Sequence, residues 1–374
     1  MIPDSWLADR TRQIEMSGIR KVFELGKSLK DPVNLSIGQP HFPVPEPIRE
    51  AAKAAIDAGH NGYSVTQGTP DLRDKLVADA RTRFPRHDPA ARDVLVTSGT
   101  SGGLLLALMA TVNPGDEVVT PDPYFVAYPH MITLAGGRMV PVDTYPDFRL
   151  DPEKIAAAFT PRTKVVLLST PSNPTGAVAE PAALEAVAAL CRARGVVLVS
   201  DEIYRAFHYD AAPASPADYD ENVLVLEGFG KTYGITGWRL GWAHGPKRLV
   251  AEMAKLQQFT YVCAPSVLQY GAAAAVDTDV SAIVADYRRK RDRLAGDLRG
   301  RYEFATPGGA FYLFPKAPRG TGTEFVTEAI ANNLLVIPGG TFSGRDTHFR
   351  ISYAASDETL GRGIDILRRL ADRG

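Results

Sequence analysis

The sequence predicts an α/β protein: a large domain built on a mostly parallel central sheet, with a smaller α+β domain beside it. Three observations lead there. Between residues 45 and 275, short unbroken apolar runs alternate with helical patterns. A run that is apolar at every position is a strand covered on both faces, as in a parallel sheet flanked by helices. After residue 280 the pattern changes to a long Arg- and Asp-rich helical stretch followed by short strands, which marks a second unit. The length of 374 residues exceeds what one ordinary core holds and suits one large and one smaller domain.

Taken in order, residues 1 to about 30 carry Ile14, Ile19, Val22 and Leu25 at mixed three- and four-residue spacing, which predicts a helix. Asn34-Leu-Ser-Ile-Gly-Gln-Pro then reads as extended and turn-rich. The buried strands are expected at Asp93-Val-Leu-Val-Thr, Glu117-Val-Val-Thr, Arg138-Met-Val-Pro-Val, Lys164-Val-Val-Leu-Leu-Ser, Gly195-Val-Val-Leu-Val-Ser and Val223-Leu-Val-Leu-Glu. A long helix is expected from about Ser281 to Arg299, followed by strands at Tyr302-Glu-Phe-Ala, Gly309-Ala-Phe-Tyr-Leu-Phe and His348-Phe-Arg-Ile-Ser-Tyr. The expected domains are therefore a large one over 45–275 and a small one over 276–374, which the N-terminal segment 1–44 joins. No repeat or low-complexity tract interrupts them.

Composition narrows the function. With 45% hydrophobic and 23% charged residues the chain is that of a soluble globular protein. A net charge of −1 offers no field to attract nucleic acid or an anionic membrane, so a small-molecule partner is expected. Met-Ile-Pro-Asp-Ser-Trp lacks the start of a signal peptide, and no window is apolar enough for a membrane span, which predicts a cytoplasmic protein. Cys191 and Cys263 are expected to be buried free thiols, and the seven histidines show no metal-ligand spacing.

In an open α/β sheet, ligands bind beyond the carboxyl ends of the strands, and unusual polar groups follow five of the apolar runs. The first is Ser98-Gly99-Thr100-Ser101-Gly-Gly, a small-residue turn opening an apolar helix. Its free backbone N–H groups and hydroxyls can seat a phosphate, although the same composition also makes an ordinary N-cap. Next, Pro123-Tyr124-Phe125 offers an aromatic face on which a flat heterocycle could stack, and equally a core packing residue. Ser172-Asn173-Pro-Thr-Gly is a proline-flanked turn that fixes an amide at the sheet edge. In Ser200-Asp201-Glu202-Ile-Tyr204, an acid behind four apolar residues is costly unless a cation faces it. Last, Glu-Gly-Phe-Gly-Lys231-Thr-Tyr-Gly-Ile-Thr-Gly-Trp-Arg239 combines a lysine that burial can deprotonate, and so make an imine-forming amine, with a planar guanidinium suited to phosphate.

Each of these segments is ordinary alone; together they describe a site for pyridoxal phosphate. Lys231 would form the imine and then move the proton at the substrate Cα as general base and acid. Asp201 would keep the pyridine nitrogen charged, and Asn173 and Tyr204 would hydrogen-bond the phenolic oxygen. Phe125 would stack on the ring, while Gly99, Thr100, Ser101 and Arg239 would hold the phosphate.

With these residues in view, the chain resembles the class I/II pyridoxal-phosphate-dependent aminotransferases, the enzymes of the aspartate aminotransferase fold (fold type I). The resemblance runs over nearly the whole chain and includes Ser36-Ile-Gly38-Gln-Pro, Gly62-Tyr63-Ser-Val-Thr-Gln-Gly68 and Phe349-Arg350-Ile-Ser-Tyr-Ala. It implies amino transfer from an L-amino acid to a 2-oxo acid by a ping-pong route through aldimine and ketimine. It also implies a homodimer with shared active sites, in which Tyr63 reaches the phosphate of the neighbouring subunit. Arg350 matches the arginine that pairs with the substrate α-carboxylate, and Gly38 and Asn173 match positions beside the substrate.

The chain departs from the family pattern in two places. Many relatives carry serines where this chain has Gly228 and Gly230; loss of the first removes a hydroxyl that usually touches the phosphate, so the phosphate site is expected to be weaker or completed by water, with pyridoxal phosphate still bound. Some aspartate-specific relatives carry a lysine at the position of Ser101, which weighs against an acidic amino donor. Ile19 is a candidate contact for the substrate side chain. Two rival functions remain at this level. A β-lyase of the same fold would release ammonia and pyruvate from one substrate without an oxo-acid acceptor. A non-catalytic, regulatory cofactor-binding protein is disfavoured because Lys231 and Asp201 are both retained.

Overall fold

The computed structural model describes residues 2–16, 18, 22, 24, 26 and 29–373; Ile19 and Leu25 of the expected N-terminal helix lie outside the described residues. Its strands are β1 (Val33–Asn34), β2 (Arg92–Thr97), β3 (Glu117–Asp122), β4 (Arg138–Asp143), β5 (Thr163–Ser169), β6 (Val197–Asp201), β7 (Leu224–Gly228), β8 (Gly241–Pro246), β9 (Tyr312–Leu313), β10 (Leu334–Leu335), β11 (Ile337–Pro338) and β12 (Phe349–Ser352). Strands β2 to β8 form one seven-stranded sheet in the order β2-β8-β7-β6-β5-β3-β4. Its neighbours are parallel except around β8, which runs antiparallel to both β2 and β7.

The six expected strands of the large domain are all present. Their unbroken apolarity has the expected cause. In β5, Val165 and Leu167 pack into one core with the helices Gly99–Thr111 and Lys247–Thr260, while Val166 and Leu168 pack into another with the helix Pro181–Arg194. Successive strand residues point to opposite faces, so both faces must be apolar when both are covered. Strand β8, Gly-Trp-Ala-His-Gly-Pro, escaped the sequence reading because it holds neither an apolar run nor a β-branched residue. Pairing on both sides holds it in the sheet, an example of tertiary context overriding propensity.

The remaining strands lie outside this sheet. β9, β11 and β12 make a three-stranded antiparallel sheet, and β1 pairs with β10 in parallel. The helix Ser281–Leu298 is as expected. The strand expected at Tyr302 is instead a single bridge between Arg299 and Tyr302, because the Tyr302 hydroxyl donates to the Leu367 carbonyl (2.8 Å) and ties this segment to the C-terminal helix rather than to a sheet. The N-terminal segment enters the same core: Val33 and Leu35 pack with Leu334, Phe349, Ile364 and Leu367. Leu35 donates its N–H to the Leu335 carbonyl and accepts from the Ser352 N–H.

Cys191 is buried and Cys263 only half-buried, both as free thiols; Cys263 escapes full burial because it lies in the surface turn after the helix Lys247–Thr260. Among the described residues no helix is long and apolar enough to cross a membrane.

Because Leu35 is the buried link between the two ends of the chain, Leu35→Ala is expected to lower the unfolding free energy by about 2–5 kcal/mol. Urea unfolding followed by circular dichroism measures this; a loss under about 0.5 kcal/mol would mean the N-terminal segment is not integral to that core.

Candidate active site

The parallel strands of the large sheet all end at one edge, and β8, running the other way, begins there. Thr97 at the end of β2 and Gly228 at the end of β7 both pair with Gly241, the first residue of β8. This single reversal brings Arg239, two residues before β8, to the edge where Gly99–Ser101, Asn173, Asp201 and Lys231 follow their own strands. These residues surround a cavity of about 310 Å³, which Gly38, Phe125, Tyr204, Tyr312 and Arg350 also line. Among the described residues, every one proposed from the sequence therefore reaches one cavity except Tyr63, which is 87% exposed on the surface; Ile19 lies outside the described residues.

The anion end is built from the start of the helix Gly99–Thr111. Ser98 occupies the N-cap position but makes no side-chain capping bond, so the first N–H groups of the helix are not consumed by a local cap and remain available to an anion. Two close approaches fix this geometry. A side chain at Gly241 would press on the backbone of Glu227, Gly99 and Thr100 at 2.7 Å, and one at Gly99, whose φ is +69°, would meet the Arg239 guanidinium at 2.7 Å. Arg239 itself has φ +55°, a conformation costly for a non-glycine residue. Its Nη1 donates to the Thr236 carbonyl at 3.0 Å, and among the described residues no carboxylate pairs with it.

The structure shows what occupies the corner at Gly228, where a weakened phosphate site is expected. The space a side chain at 228 would take is filled: its Cβ would lie 2.5 Å from Thr100 Oγ1 and 2.7 Å from the Ile203 methyl. The threonine hydroxyl, which donates to the Glu227 carbonyl at 3.1 Å, stands where the missing side chain would have been.

Asp201 ends β6 and is buried. Its carboxylate accepts from the Tyr128 hydroxyl at 2.8 Å and from the Ile203 N–H at 3.2 Å. No cation forms an ion pair with it among the described residues, and burial pushes its carboxyl up to about 6. The neighbouring acid, Glu202, points to the other side of the sheet and accepts from the Ser200 and Ser215 hydroxyls. Strand alternation thus decides which of the two acids faces the cavity.

Lys231 lies in the short helix Phe229–Thr232 that follows β7. Its Nζ donates to the Gly38 carbonyl. Burial, and then the nearby Arg350 and Arg239 charges, lower its amine to about 8, against a smaller opposing effect of Asp201. A substantial neutral fraction at physiological pH is what an imine-forming lysine requires.

At the opposite end, Arg350 on β12 is 1% exposed. Its guanidinium donates to Asn173 Oδ1 at 2.9 Å and to the Ser36 carbonyl at 2.7 Å, and its buried Nε has no partner. It is held between the rings of Tyr312 and Phe342, at 4.5 and 4.7 Å from their centroids. A fully buried guanidinium with no carboxylate on it, among the described residues, is costly unless a ligand brings one.

The sequence reading assigned Asn173 and Tyr204 to the cofactor's phenolic oxygen. Asn173 spends its carbonyl oxygen on Arg350, leaving the amide Nδ2 without a protein partner among the described residues. The Tyr204 hydroxyl shares a 2.7 Å hydrogen bond with the hydroxyl of Tyr312. Tyr128 and Tyr312 are the polar residues the sequence reading missed. Tyr128 follows Pro123-Tyr124-Phe125 as one more aromatic residue, and Tyr312 lies in a run, Ala-Phe-Tyr-Leu-Phe, that reads as core.

These residues fit pyridoxal phosphate on the chemistry of the donor set. The cavity has an uncapped helix start with a guanidinium at one corner, a buried carboxylate lacking a cation among the described residues, a deprotonatable lysine, and a second guanidinium lacking an anion among the described residues. A model of the family described as aminotransferase class I and II matches residues 30–367. The chain is 33% identical to a probable aspartate aminotransferase from Methanocaldococcus jannaschii, over 97% of this chain and 99% of the relative. It is 37% identical to an aspartate/prephenate aminotransferase from Cereibacter sphaeroides over 91% of each. The structure of an aspartate aminotransferase from Thermus thermophilus with maleate superposes with a TM-score of 0.92 at 33% identity, covering 97% of this chain and 99% of that one.

The electrostatics of Lys231 can be read directly in cofactor-free protein. Amine-directed acylation followed by peptide mapping is expected to label Lys231 with a midpoint near pH 8, rising with pH as the ammonium deprotonates. A free lysine side chain titrates near ~10.4. A Lys231 midpoint indistinguishable from that would contradict its desolvated setting.

Proposed function

This chain belongs to the class I and II aminotransferases and is a pyridoxal-phosphate-dependent enzyme that moves an amino group from an L-amino acid to a 2-oxo acid; on that premise we propose how its residues divide the work. The observation that carries the assignment is a pair of unmatched buried charges, Asp201 and Arg350, lining one cavity with Lys231. Asp201 pairs with the protonated ring nitrogen of the cofactor and Arg350 with the α-carboxylate of the substrate, so cofactor and substrate each supply a charge that the protein leaves unmet.

Bound pyridoxal phosphate supplies an electron-withdrawing ring that stabilises negative charge developing at the substrate Cα. Lys231 holds the cofactor in the resting enzyme and, once released by the substrate amine, carries the proton away from and back to the reacting carbons. Its lowered basicity supports both duties. Tyr204 and the free amide hydrogens of Asn173 donate to the phenolic oxygen, and Phe125 covers the ring. The helix-start amides of Gly99, Thr100 and Ser101, with Arg239, hold the phosphate. Arg350, with its planar donors fixed between two aromatic rings, sets the direction of the substrate's Cα–H bond beside Gly38.

The working unit is proposed to be a cytoplasmic homodimer. Tyr63 and Phe259 are each 87% exposed and Val65 is also exposed. Their segments are tied together where the Ser64 N–H donates to Ser266 Oγ and Gln257 Nε2 to the Thr66 carbonyl. An apolar patch of this kind suits a second copy, which would carry Tyr63 to its neighbour's phosphate. The two free thiols are compatible with a reducing compartment. The large domain is assigned to 45–275, and the small one to 276–374 with 1–44, supported by the shared core of Leu35 and Leu367.

Lys231→Ala is expected to abolish borohydride-reducible attachment of pyridoxal phosphate and to reduce turnover to background; persistent attachment would place the imine on another lysine. Arg350→Ala is expected to raise KM for amino acid and oxo acid alike by roughly 30-fold or more, as when a buried charge loses its partner, and an unaltered KM would remove it from substrate binding.

A further inference from the structure

We propose that Tyr312 is a positioning residue with two separable duties: its hydroxyl orients the Tyr204 hydroxyl, and its ring braces Arg350. This deepens the reading above and rests on it for the roles of Tyr204 and Arg350.

The placement follows from the small sheet. β9 and β12 are antiparallel with Tyr312 opposite Ser352 and Leu313 opposite Ile351. Arg350, two residues before Ser352, therefore shares the face of Tyr312 on the diagonal, within reach of an aromatic and a long side chain. The guanidinium carbon lies 4.5 Å from the Tyr312 ring centroid.

The hydroxyl end is equally constrained. Tyr204 and Tyr312 meet edge to face, with ring centroids 5.6 Å apart, and their hydroxyls are 2.7 Å apart. Each phenol has one hydrogen to donate. If Tyr204 donates into the cavity, the hydrogen in the shared bond must come from Tyr312. A phenol that accepts a hydrogen bond is a better donor, so Tyr312 strengthens as well as orients Tyr204. Nothing else among the described residues hydrogen-bonds either hydroxyl, and both rings are buried. A side chain at Gly38 would run into the Tyr312 hydroxyl, so the glycine keeps this corner open. The charged groups that act on the pair are Arg350 from β12 and Asp201 from β6, Lys231 after β7 lines the same cavity and donates to the Gly38 carbonyl beside the Tyr312 hydroxyl, and Tyr287 and Tyr353 are the further phenols acting on Tyr312.

Tyr312→Phe and Tyr312→Leu separate the duties in the holoenzyme, with Tyr204→Phe as the reference. The first readout is the pH midpoint of the bound cofactor's visible absorption. Donation to the phenolic oxygen favours its charged form, so weakening that donation raises the midpoint. Tyr204→Phe is expected to move it up by about one unit and Tyr312→Phe by roughly 0.2–0.5 unit, in proportion to a lost bond and a weakened one. The second readout is KM for the amino acid. Tyr312→Phe keeps the ring and should stay within about twofold of the parent, while Tyr312→Leu should raise KM by about 3–30-fold, the range of a desolvated cation–π contact.

A midpoint unmoved in Tyr312→Phe while Tyr204→Phe shifts would overturn the hydroxyl relay. Equal KM values for the Phe and Leu variants would overturn the brace. If Tyr204→Phe also leaves the midpoint in place, the role of Tyr204 itself fails, a different outcome. Should Tyr312→Leu not fold, the Phe variant still decides the relay, and Tyr312→His, which retains an aromatic face, against Tyr312→Met decides the brace.

Discussion

Two charges buried without opposite charges organise this molecule. Asp201 accepts from a phenol and a peptide N–H, and Arg350 donates to an amide oxygen and a peptide carbonyl. Neither has its counter-ion in the chain, among the described residues. Burying a charge this way costs stability that a structural ion pair would recover, and a buried pair elsewhere in the protein does so: Arg83 lies 2.5 Å from Glu227 and 2.9 Å from Asp79. The unmatched charges are the thermodynamic signature of a site completed by ligands. Between them, Lys231 feels two guanidinium groups and little water, which keeps its amine low.

The rest of the architecture brings these groups together and holds them still. Six strands of one sense deliver loops to one sheet edge, and the single reversed strand, β8, delivers Arg239 to the same edge. Close backbone contact at Gly241 presses β8 onto the start of the helix that carries Thr100 and Ser101. The second unit contributes Arg350 and Tyr312 on paired strands, and the N-terminal segment contributes Ser36 and Gly38 as carbonyl acceptors for Arg350 and Lys231. Each of the three segments therefore supplies part of the cavity lining. Packing of the N-terminal segment into the small-domain core, through Leu35, is part of site assembly rather than an accessory to it.

The corner at Gly228 illustrates how a local departure from a family pattern is absorbed. Read along the chain, the glycine is a missing hydroxyl. In three dimensions Thr100 fills that space from a different element, and its own hydroxyl is anchored on the Glu227 carbonyl. A side chain restored at 228 would now collide with it, so the two positions are energetically coupled and neither can be interpreted alone.

Much of the protein was legible in the sequence because its signals are local. The unbroken apolar runs determined the buried parallel strands, since a strand covered on both faces can hold no polar residue without a partner. The small, polar and proline-rich turns after them determined where Asn173, Asp201 and Lys231 would emerge, since loop composition is set by neighbouring backbone geometry. What only the tertiary structure decided are relations between distant segments. β8 is a strand because two neighbours pair with it, not because Gly-Trp-Ala-His-Gly-Pro prefers to be extended. Tyr128 and Tyr312 are polar site residues because Asp201 and Tyr204 lie opposite their hydroxyls, whereas along the chain each is an aromatic in an apolar setting. Local propensity is written residue by residue; a hydrogen bond between positions 204 and 312, or a threonine filling the space beside a glycine over a hundred residues away, exists only once the chain has closed on itself.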